Sequence, residues 1–514
     1  MFVDHLSAAG DGQLPGLFGF LAKIDQARSQ FQVEFDRLLL QFTYPEFHTL
    51  RLKHFESRRR EIWRLNDGKI QAVPPIKTQA GLRLTYTAFI MESLHFLLSA
   101  WPGTGSPLAE WQVMAGYAVF AVSYVVFALG KLPGMKIDRP GMAIIGAVLM
   151  VAFRIMTARE ALRFVDFSTL VLLFSMMLVV GCLHLSGFFD WITGQIIARL
   201  KPRHLLPTII FITGILSAFF VNDIICLVMV PFALLATKRM GLKPLPYLLA
   251  VATAANIGSV ATITGNPQNM LIGSFSGLSY RYFLGRLGPV ALIGLLLDWL
   301  IIRRLCGNGD VTGKAEDLKS AIPQVSAREL RKPAIVITLV LIGFIAGVPP
   351  AMMAAIGAAL MLITRTRNPR LVYDEVDWGL LVFFVGLFLI VGGAENAGLT
   401  SYLFSFADRF NLQDTGIFTA VTAVLSNIVS NVPAVMLLKS IMPAFHDARN
   451  GWLVLAMAST LAGNLTITGS VANLIVVERS HDEVHIGFWD YSRVGIPVTL
   501  ATLAVGWAWL TWVR

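Results

Sequence analysis

Long apolar stretches alternate with short polar, often basic, loops from about residue 84 to the end of the chain. The runs Ser168–Phe189, Leu245–Tyr280, Ala334–Thr364, Gly451–Val477 and Val494–Val513 contain no Asp, Glu, Lys or Arg. Apolar runs of about 18 or more residues with few charges are long enough to cross a bilayer as helices. The pattern predicts spans at about 84–101, 111–130, 140–156, 168–189, 246–274, 287–303, 334–347, 351–364, 378–396, 452–477 and 494–513. Two more apolar stretches, 205–237 and 415–443, are interrupted midway by polar residues and read as re-entrant helical hairpins. The expected fold class is therefore an all-α integral membrane protein with about 11 transmembrane helices and two re-entrant hairpins.

The same pattern occurs twice. "IGAVLM" at 145–150 corresponds to "IGAALM" at 356–361, "VDF" at 165–167 to "VDW" at 376–378, and Gly181 and Gly187 to Gly392 and Gly398, all at one offset of 211. The offset falls to 209 at Asn222 and Asn431, and to 204 where "TITGNPQNMLI" (from Thr262) meets "TITGSVANLIV" (from Thr466). A nearly constant spacing with small deletions is what an internal duplication leaves. It divides the chain into an N-terminal extension (1–82), an extra helix (83–104), a first repeat (105–306), a linker (307–332) and a second repeat (333–514).

Charge then orients the repeats. Only 14% of the 514 residues are charged, against about 25% in an ordinary soluble protein. The net charge of +10 sits mostly in loops flanking apolar segments, the positive-inside pattern, rather than marking a nucleic-acid partner. Lys131, Lys136 and Arg139 mark one loop as cytoplasmic. Arg199, Lys201 and Arg203, with Lys238, Arg239 and Lys243, place both ends of the first hairpin on that side. So do the basic linker and Arg365, Arg367 and Arg370 in the second repeat. Five crossings per repeat invert the second copy relative to the first; Arg154, Arg159 and Arg163 run against this arrangement. Inverted repeats are a common plan of secondary transporters. The expected location is the inner (plasma) membrane, multi-pass, with the N-terminus cytoplasmic and the C-terminus outside. In the extension, "HFESRRREIWRLNDGK" reads as a basic amphipathic helix on the membrane surface or a solvated segment. The first 80 residues read as mixed and charged, without the pattern expected of a signal peptide, and Cys182, Cys226 and Cys306 have no disulfide or metal spacing.

Candidate chemistry lies where apolar segments are broken. Lipid cannot satisfy an exposed backbone, so broken helices must be buried or line a cavity. Each repeat has two such places: the hairpin tips "FFVNDIICLVMVP" and "SNIVSNVPAVMLL", and the two TITG elements. Gly265, Asn266 and Pro267 interrupt a helix, and Gly469 with Ser470 do so more mildly. Interrupted helices present N–H groups to anions and carbonyls to cations. The paired breaks read as two sides of one midplane site; helix-to-helix glue is the alternative. Asp223 is a charge between apolar flanks whose repeat mate is Val432. At a helix centre an ionised Asp costs about 2.5–3.5 kcal/mol, and such residues mark ion or proton paths or serve as buried structural acids. His184 and Glu395 are equivalent in the two copies and are candidate ion-coupling groups, or polar residues meeting water at helix ends. Lys439 either snorkels or pairs with an acid. The motifs of soluble-type enzymes and ATP-driven pumps (HExxH, GxSxG, the P-loop) are absent, and no cofactor is expected beyond H+ or Na+ as the coupling ion.

At these residues the sequence resembles the ion transporter superfamily, specifically the arsenical/silicon efflux permeases and the related citrate-transporter-like and divalent-anion symporter families. "FFVNDIICLVMVPF" with "ANIGSVATITGNPQNMLIG", and "LSNIVSNVPAVMLL" with "AGNLTITGSVANLIV", carry the resemblance over about 105–514. It implies an elevator-type secondary carrier, commonly a homodimer, that holds substrate between two hairpin tips and two broken helices. Those positions are Asn222, Asp223, Asn256, Thr264, Gly265, Asn266 and Asn269, then Ser430, Asn431, Thr466, Thr468, Gly469 and Asn473. A sodium ion would sit near Asn222, Asp223 and Asn431. Sodium–dicarboxylate members carry Ser-Asn-Thr at both tips; here the tips read Val221-Asn222-Asp223 and Ser430-Asn431-Val432, which points to the arsenite/silicon branch. The expected substrate is a small anion or its uncharged acid. A Na+/H+ antiporter on the same scaffold is the second reading and an anion channel the third; a membrane enzyme would need a nucleophile–base constellation that is missing.

Overall fold

Twenty α-helices, in a computed structural model that describes residues 108–131, 134–199, 201–307, 327–363 and 368–513, fall into two runs of ten. The first run is α1 (Glu110–Leu129), α2 (Arg139–Ala152), α3 (Ala158–Phe164), α4 (Phe167–Leu185), α5 (Phe188–Arg199), α6 (Leu205–Phe219), α7 (Asn222–Met240), α8 (Leu245–Ser259), α9 (Pro267–Ser276) and α10 (Tyr280–Cys306). The second is α11 (Ala327–Ala346), α12 (Pro350–Leu362), α13 (Pro369–Asp374), α14 (Trp378–Asn396), α15 (Leu399–Arg409), α16 (Thr415–Val429), α17 (Asn431–Leu438), α18 (Ala448–Leu461), α19 (Val471–Ser480) and α20 (Phe488–Trp512). Among the described residues there is no strand, only an isolated bridge between Lys131 and Asp138. The extension 1–82, the span expected at 84–101 and most of the linker lie outside the described residues.

The duplicated sequence signals have local causes. Asp166 and Asp377, the centres of "VDF" and "VDW", are N-caps: Asp166 accepts from the Ser168 N–H and Asp377 from the Leu380 N–H. A capping carboxylate satisfies donors that the first helical turn leaves free. Both caps thus start the equivalent long helices, α4 and α14. Several expectations shift. The spans expected at 246–274 and 452–477 are each split, into α8 and α9 and into α18 and α19, with short 3-10 turns at Ala462–Asn464 and Ile467–Gly469 in the second copy. The expected linker ends early, because α11 begins at Ala327. Short α3, α5, α13 and α15 fill what had read as loops.

Packing repeats reciprocally. α2 of the first copy packs on α14 of the second, and α12 of the second packs on α4 of the first. Along the first pair Gly379 faces Pro140, Gly386 faces Ala143 and Gly393 faces Met150, so α2 and α14 run side by side in the same direction. In contrast, Gly181 near the end of α4 faces Glu375 just before α14, and Phe164 just before α4 faces Gly392 near the end of α14. The equivalent helices α4 and α14 therefore run in opposite directions.

Among the described residues, six helical segments are long and apolar enough to cross a membrane: Glu110–Leu129, Phe167–Leu185, Pro202–Phe219, Tyr280–Cys306, Trp378–Asn396 and Phe488–Trp512. Shorter apolar helices accompany them, including α2, α8, α12 and α16. Large apolar side chains stay exposed along their outer faces, among them Val122 and Val125 on α1, Leu292 and Leu296 on α10 and Ile342 on α11. Exposed apolar side chains on helices that bury polar residues suit lipid and not water. The chain is a multi-pass membrane protein.

Candidate functional site

At the middle of the chain's first break, α8 stops at Ser259 and the backbone turns through 260–266 before Pro267 opens α9. Asn266 caps α9 by accepting from the Asn269 N–H at 2.8 Å. Asn269, 0% exposed, turns its amide back and donates to the Ser259 and Thr262 carbonyls, each at 3.0 Å. The second break repeats the amide's role at equivalent carbonyls, although its cap accepts from the Ala472 N–H rather than from Asn473. Ser470 caps α19, and Asn473 donates to the Gly463 carbonyl at 2.7 Å and to the Thr466 carbonyl at 3.0 Å. The duplicated motif ends in an asparagine because that amide satisfies the carbonyls a broken helix leaves behind.

Helices α6, α7 and α16 bond to these breaks. The Asn222 N–H at the start of α7 donates to the Gly265 carbonyl at 3.0 Å. Ser217 on α6 donates to the Ala255 carbonyl, and its equivalent Ser426 on α16 donates to the Ser459 carbonyl. Close approach needs glycine at two of these places. A Cβ on Gly258 would lie 2.1 Å from the Gly214 carbonyl oxygen of α6, and one on Gly265 would lie 2.2 Å from the Ser259 carbonyl oxygen.

Hydrogen bonds then cross between the copies. The Asn266 amide donates to Thr460 Oγ1 at 3.2 Å, and Ser470 Oγ donates to Asn256 Oδ1 at 2.9 Å. Asn256 and Thr460 are equivalent positions, so each cap binds the first arm of the opposite copy. Asn256 is the hub. Its Nδ2 donates to Asn464 Oδ1 at 2.8 Å and Asn473 Oδ1 at 3.0 Å, and its Oδ1 also accepts from Asn222 Nδ2 at 3.2 Å. Two donors and two acceptor sites are the whole capacity of an amide, and all are used. Two neighbouring amides are left incomplete: Asn222 Oδ1 and Asn269 Oδ1 are buried with no partner. Such oxygens accept from a proton-bearing ligand or coordinate a hard cation.

The structure brings Asn222, Asn256, Gly265, Asn266, Asn269, Gly469 and Asn473 into one buried junction, with Asn431 held beside it by a 2.6 Å bond from Ser426. Asp223 is half-buried in the first turn of α7, next to Asn222. Ser430 turns the second tip with φ of +78°, in the region that favours glycine. The threonines differ between copies. Thr264 is buried and shares a 3.0 Å hydrogen bond with the Tyr280 hydroxyl, whereas Thr466 is half-buried and Thr468 exposed.

His184 and Glu395 do not come together. His184 Nδ1 lies 3.0 Å from Glu375 Oε2, while Glu395 pairs with Lys439 at 3.4 Å and accepts from Ser440 at 2.7 Å. They close equivalent helices that run in opposite directions, so equivalence places them at opposite ends. Lys439 thus has its acid, and it also lies 4.8 Å from the Phe275 ring beside a cavity of about 310 Å³. Sequence reasoning missed Thr253, Ser259, Gln268, Thr460 and Asn464. Thr460 carried a usable signal, since it stands at the Asn256 position of the second copy.

Apolar helices enclosing two interrupted, mutually bonded helices define a membrane transporter. The citrate transporter family model, CitMHS, matches residues 124–462, and the chain belongs to that family. It is 29% identical to the silicon efflux transporter LSI3 of Oryza sativa subsp. japonica over 77% of this chain and 97% of that protein. It is 26% identical to the putative transporter arsB of Dictyostelium discoideum over 76% of this chain and 90% of that one. Among solved structures, the Alcanivorax borkumensis YdaH transporter shares the fold at a TM-score of 0.50 and 15% identity, covering 78% of this chain and 97% of that chain. Its relatives are transporters, in keeping with the absence of recognised enzyme motifs.

Proposed function

We propose that this protein is a secondary active transporter for a small oxyanion or its uncharged acid, driven by H+ or Na+ through elevator-type alternating access. The observation that carries the reading is the reciprocal bonding of the two breaks, Asn266 to Thr460 and Ser470 to Asn256. In this reading α6–α7 and α16–α17 are re-entrant hairpins. The repeats 105–306 and 333–514 are inverted in an inner membrane and make five crossings each, with the helix at 83–104 as an eleventh. The N-terminus and the 1–82 extension are cytoplasmic, the C-terminus is outside, and the carrier is a homodimer. The opposed directions of α4 and α14 support the inversion.

Substrate class follows from charge. The hairpin tips and TITG elements contain no Lys or Arg. A polyanion would meet only helix dipoles and any bound cation, with Asp223 opposing it. A neutral or weakly charged oxyacid is easier to hold on amide and hydroxyl groups. The name of the silicon efflux relative fits that class. Binding is assigned to Asn222, Asn256, Thr264, Gly265, Asn266, Asn269, Ser430, Asn431, Thr466, Thr468, Gly469 and Asn473, and ion coupling to Asp223. In vesicles with an imposed pH gradient, Asp223→Asn is expected to abolish gradient-driven movement of arsenite or silicic acid. Unchanged gradient-driven transport in that variant rules out the coupling role.

A Na+/H+ antiporter is the second reading. The unpartnered Asn222 and Asn269 oxygens, with Asp223 nearby, are the ligand type a sodium ion takes. Sodium-driven proton movement in vesicles without any oxyanion would select it.

A further inference from the structure

Away from the tips, a second acid lies deep in the bundle. Asp298, in the last third of α10, is 0% exposed. Its Oδ2 accepts from Thr253 Oγ1 at 3.1 Å, and its Oδ1 has no partner. No ion pair among the described residues includes it. A carboxylate held so would be charged, dry and uncompensated, an arrangement that native proteins avoid. A neutral carboxylic acid fits the same space with no such penalty.

The neighbours make the site more than helix glue. Thr253 sits one turn before Asn256 on α8, and its carbonyl accepts from Asn464 Nδ2 at 3.1 Å. Asn464 in turn accepts from Asn256 at 2.8 Å. Asp298 is thus joined through Thr253 and Asn464 to the hub of the junction. Tyr491 of α20 is buried with an unpartnered hydroxyl, within electrostatic reach of both Asp298 and the Cys226 thiol of α7. From the other packed helices, α6 brings no ionisable side chain, the charges of α11 lie in its first two turns, and α18 has only Arg449, in its first turn.

The second copy shows that the fold does not require this pair. Pro289 and Pro497 align α10 with α20, which sets Asp298 against Gly506, while the 204 offset sets Thr253 against Met457. Gly506 and Met457 pack directly on each other. One copy fills the contact with glycine and methionine; the other places a carboxyl and a hydroxyl there.

We propose that Asp298 is a second proton-binding site of the transport cycle, besides Asp223, linked to the substrate junction by Thr253. The proposal rests on the proton-coupled form of the function above. The step is a simple one: a proton from water adds to the free carboxylate oxygen to give the neutral acid, and the same O–H bond breaks to return it. No other bond changes.

The test has two arms on the full-length protein in liposomes. Infrared difference spectra across a pH step are expected to show a carboxylic-acid C=O band in wild type that is lost in Asp298→Asn and kept in Asp223→Asn. With arsenite and silicic acid as probes, Asp298→Asn is expected to lower pH-gradient-driven accumulation by about tenfold, an ordinary coupling energy, while downhill exchange persists. Accumulation by Asp298→Asn at the wild-type level overturns the proposal and leaves the parent function standing. If wild type shows no pH-driven transport, the proton-coupled form of the parent reading fails instead. The infrared arm, which needs the variants to fold but not to transport, then still decides: no carboxylic-acid band in wild type, or one that Asp298→Asn retains in full, overturns the proton site.

Discussion

Replacing Asn256 with leucine is expected to destabilise the protein by about 2–6 kcal/mol and to stop transport. Asn256 is 1% exposed, so water cannot replace what it loses. The change removes the partner of Asn222 in its own copy, and of Asn464, Ser470 and Asn473 in the other. Each stranded buried group costs about 1–3 kcal/mol in a soluble protein, whereas side-chain bonds between membrane helices average nearer 0.6 kcal/mol. Asn473 and Asn464 keep other bonds through their Nδ2 groups, which caps the total. Denaturant unfolding in mixed micelles measures the loss. A change below about 0.5 kcal/mol, the scale of a surface substitution, would mean that the copies are not held together here.

The second large effect is expected from Gly265→Ala. The added methyl would sit 2.2 Å from the Ser259 carbonyl oxygen and 2.7 Å from the Ser259 α-carbon. Both obstacles are backbone, so no rotamer change relieves them, and the expected loss exceeds the 1–3 kcal/mol typical of overpacking. The turn would have to open, carrying away the Gly265 carbonyl that the Asn222 N–H of the hairpin uses. The equivalent Gly469→Ala meets its nearest atom, the Gly463 carbonyl oxygen, at 2.8 Å, and is expected to be milder. Gly277→Ala, which has open space and φ of +63°, is expected to lose only the about 1–2 kcal/mol of a left-handed residue. Unfolding midpoints should fall in the order Gly265, Gly469, Gly277. A reversed order would show the first break to be looser than the second.

Much of this centre was legible from residues alone because the chain states it twice. Asn269 and Asn473 repeat because each break leaves the same carbonyls to satisfy, and Asp166 and Asp377 repeat because each caps the same helix. Where the copies diverge, repetition was silent. Asn464 stands opposite Val260, and Asp298 opposite Gly506, so neither stood out. Asp298 also shares its apolar segment with nearby Arg303 and Arg304. Only packing shows that it is dry. The short helices had weaker signals still: α3 spans seven residues, too few for periodicity to speak. Its capping box, Thr157 with Glu160, was nonetheless written in the chain. The pairing of Lys439 with Glu395 depended on the fold bringing α14 to the second hairpin, which spacing alone does not encode.

The most direct measurement is uphill transport in proteoliposomes that hold equal arsenite, silicic acid or citrate on both sides and a pH or sodium gradient across the membrane. Wild type is expected to accumulate one of these solutes against its rising gradient, and folded Asn256→Leu protein to accumulate none. A steady current indifferent to the ion gradient, or equal accumulation by the Asn256→Leu protein, would contradict a carrier built on the meeting of the two broken helices.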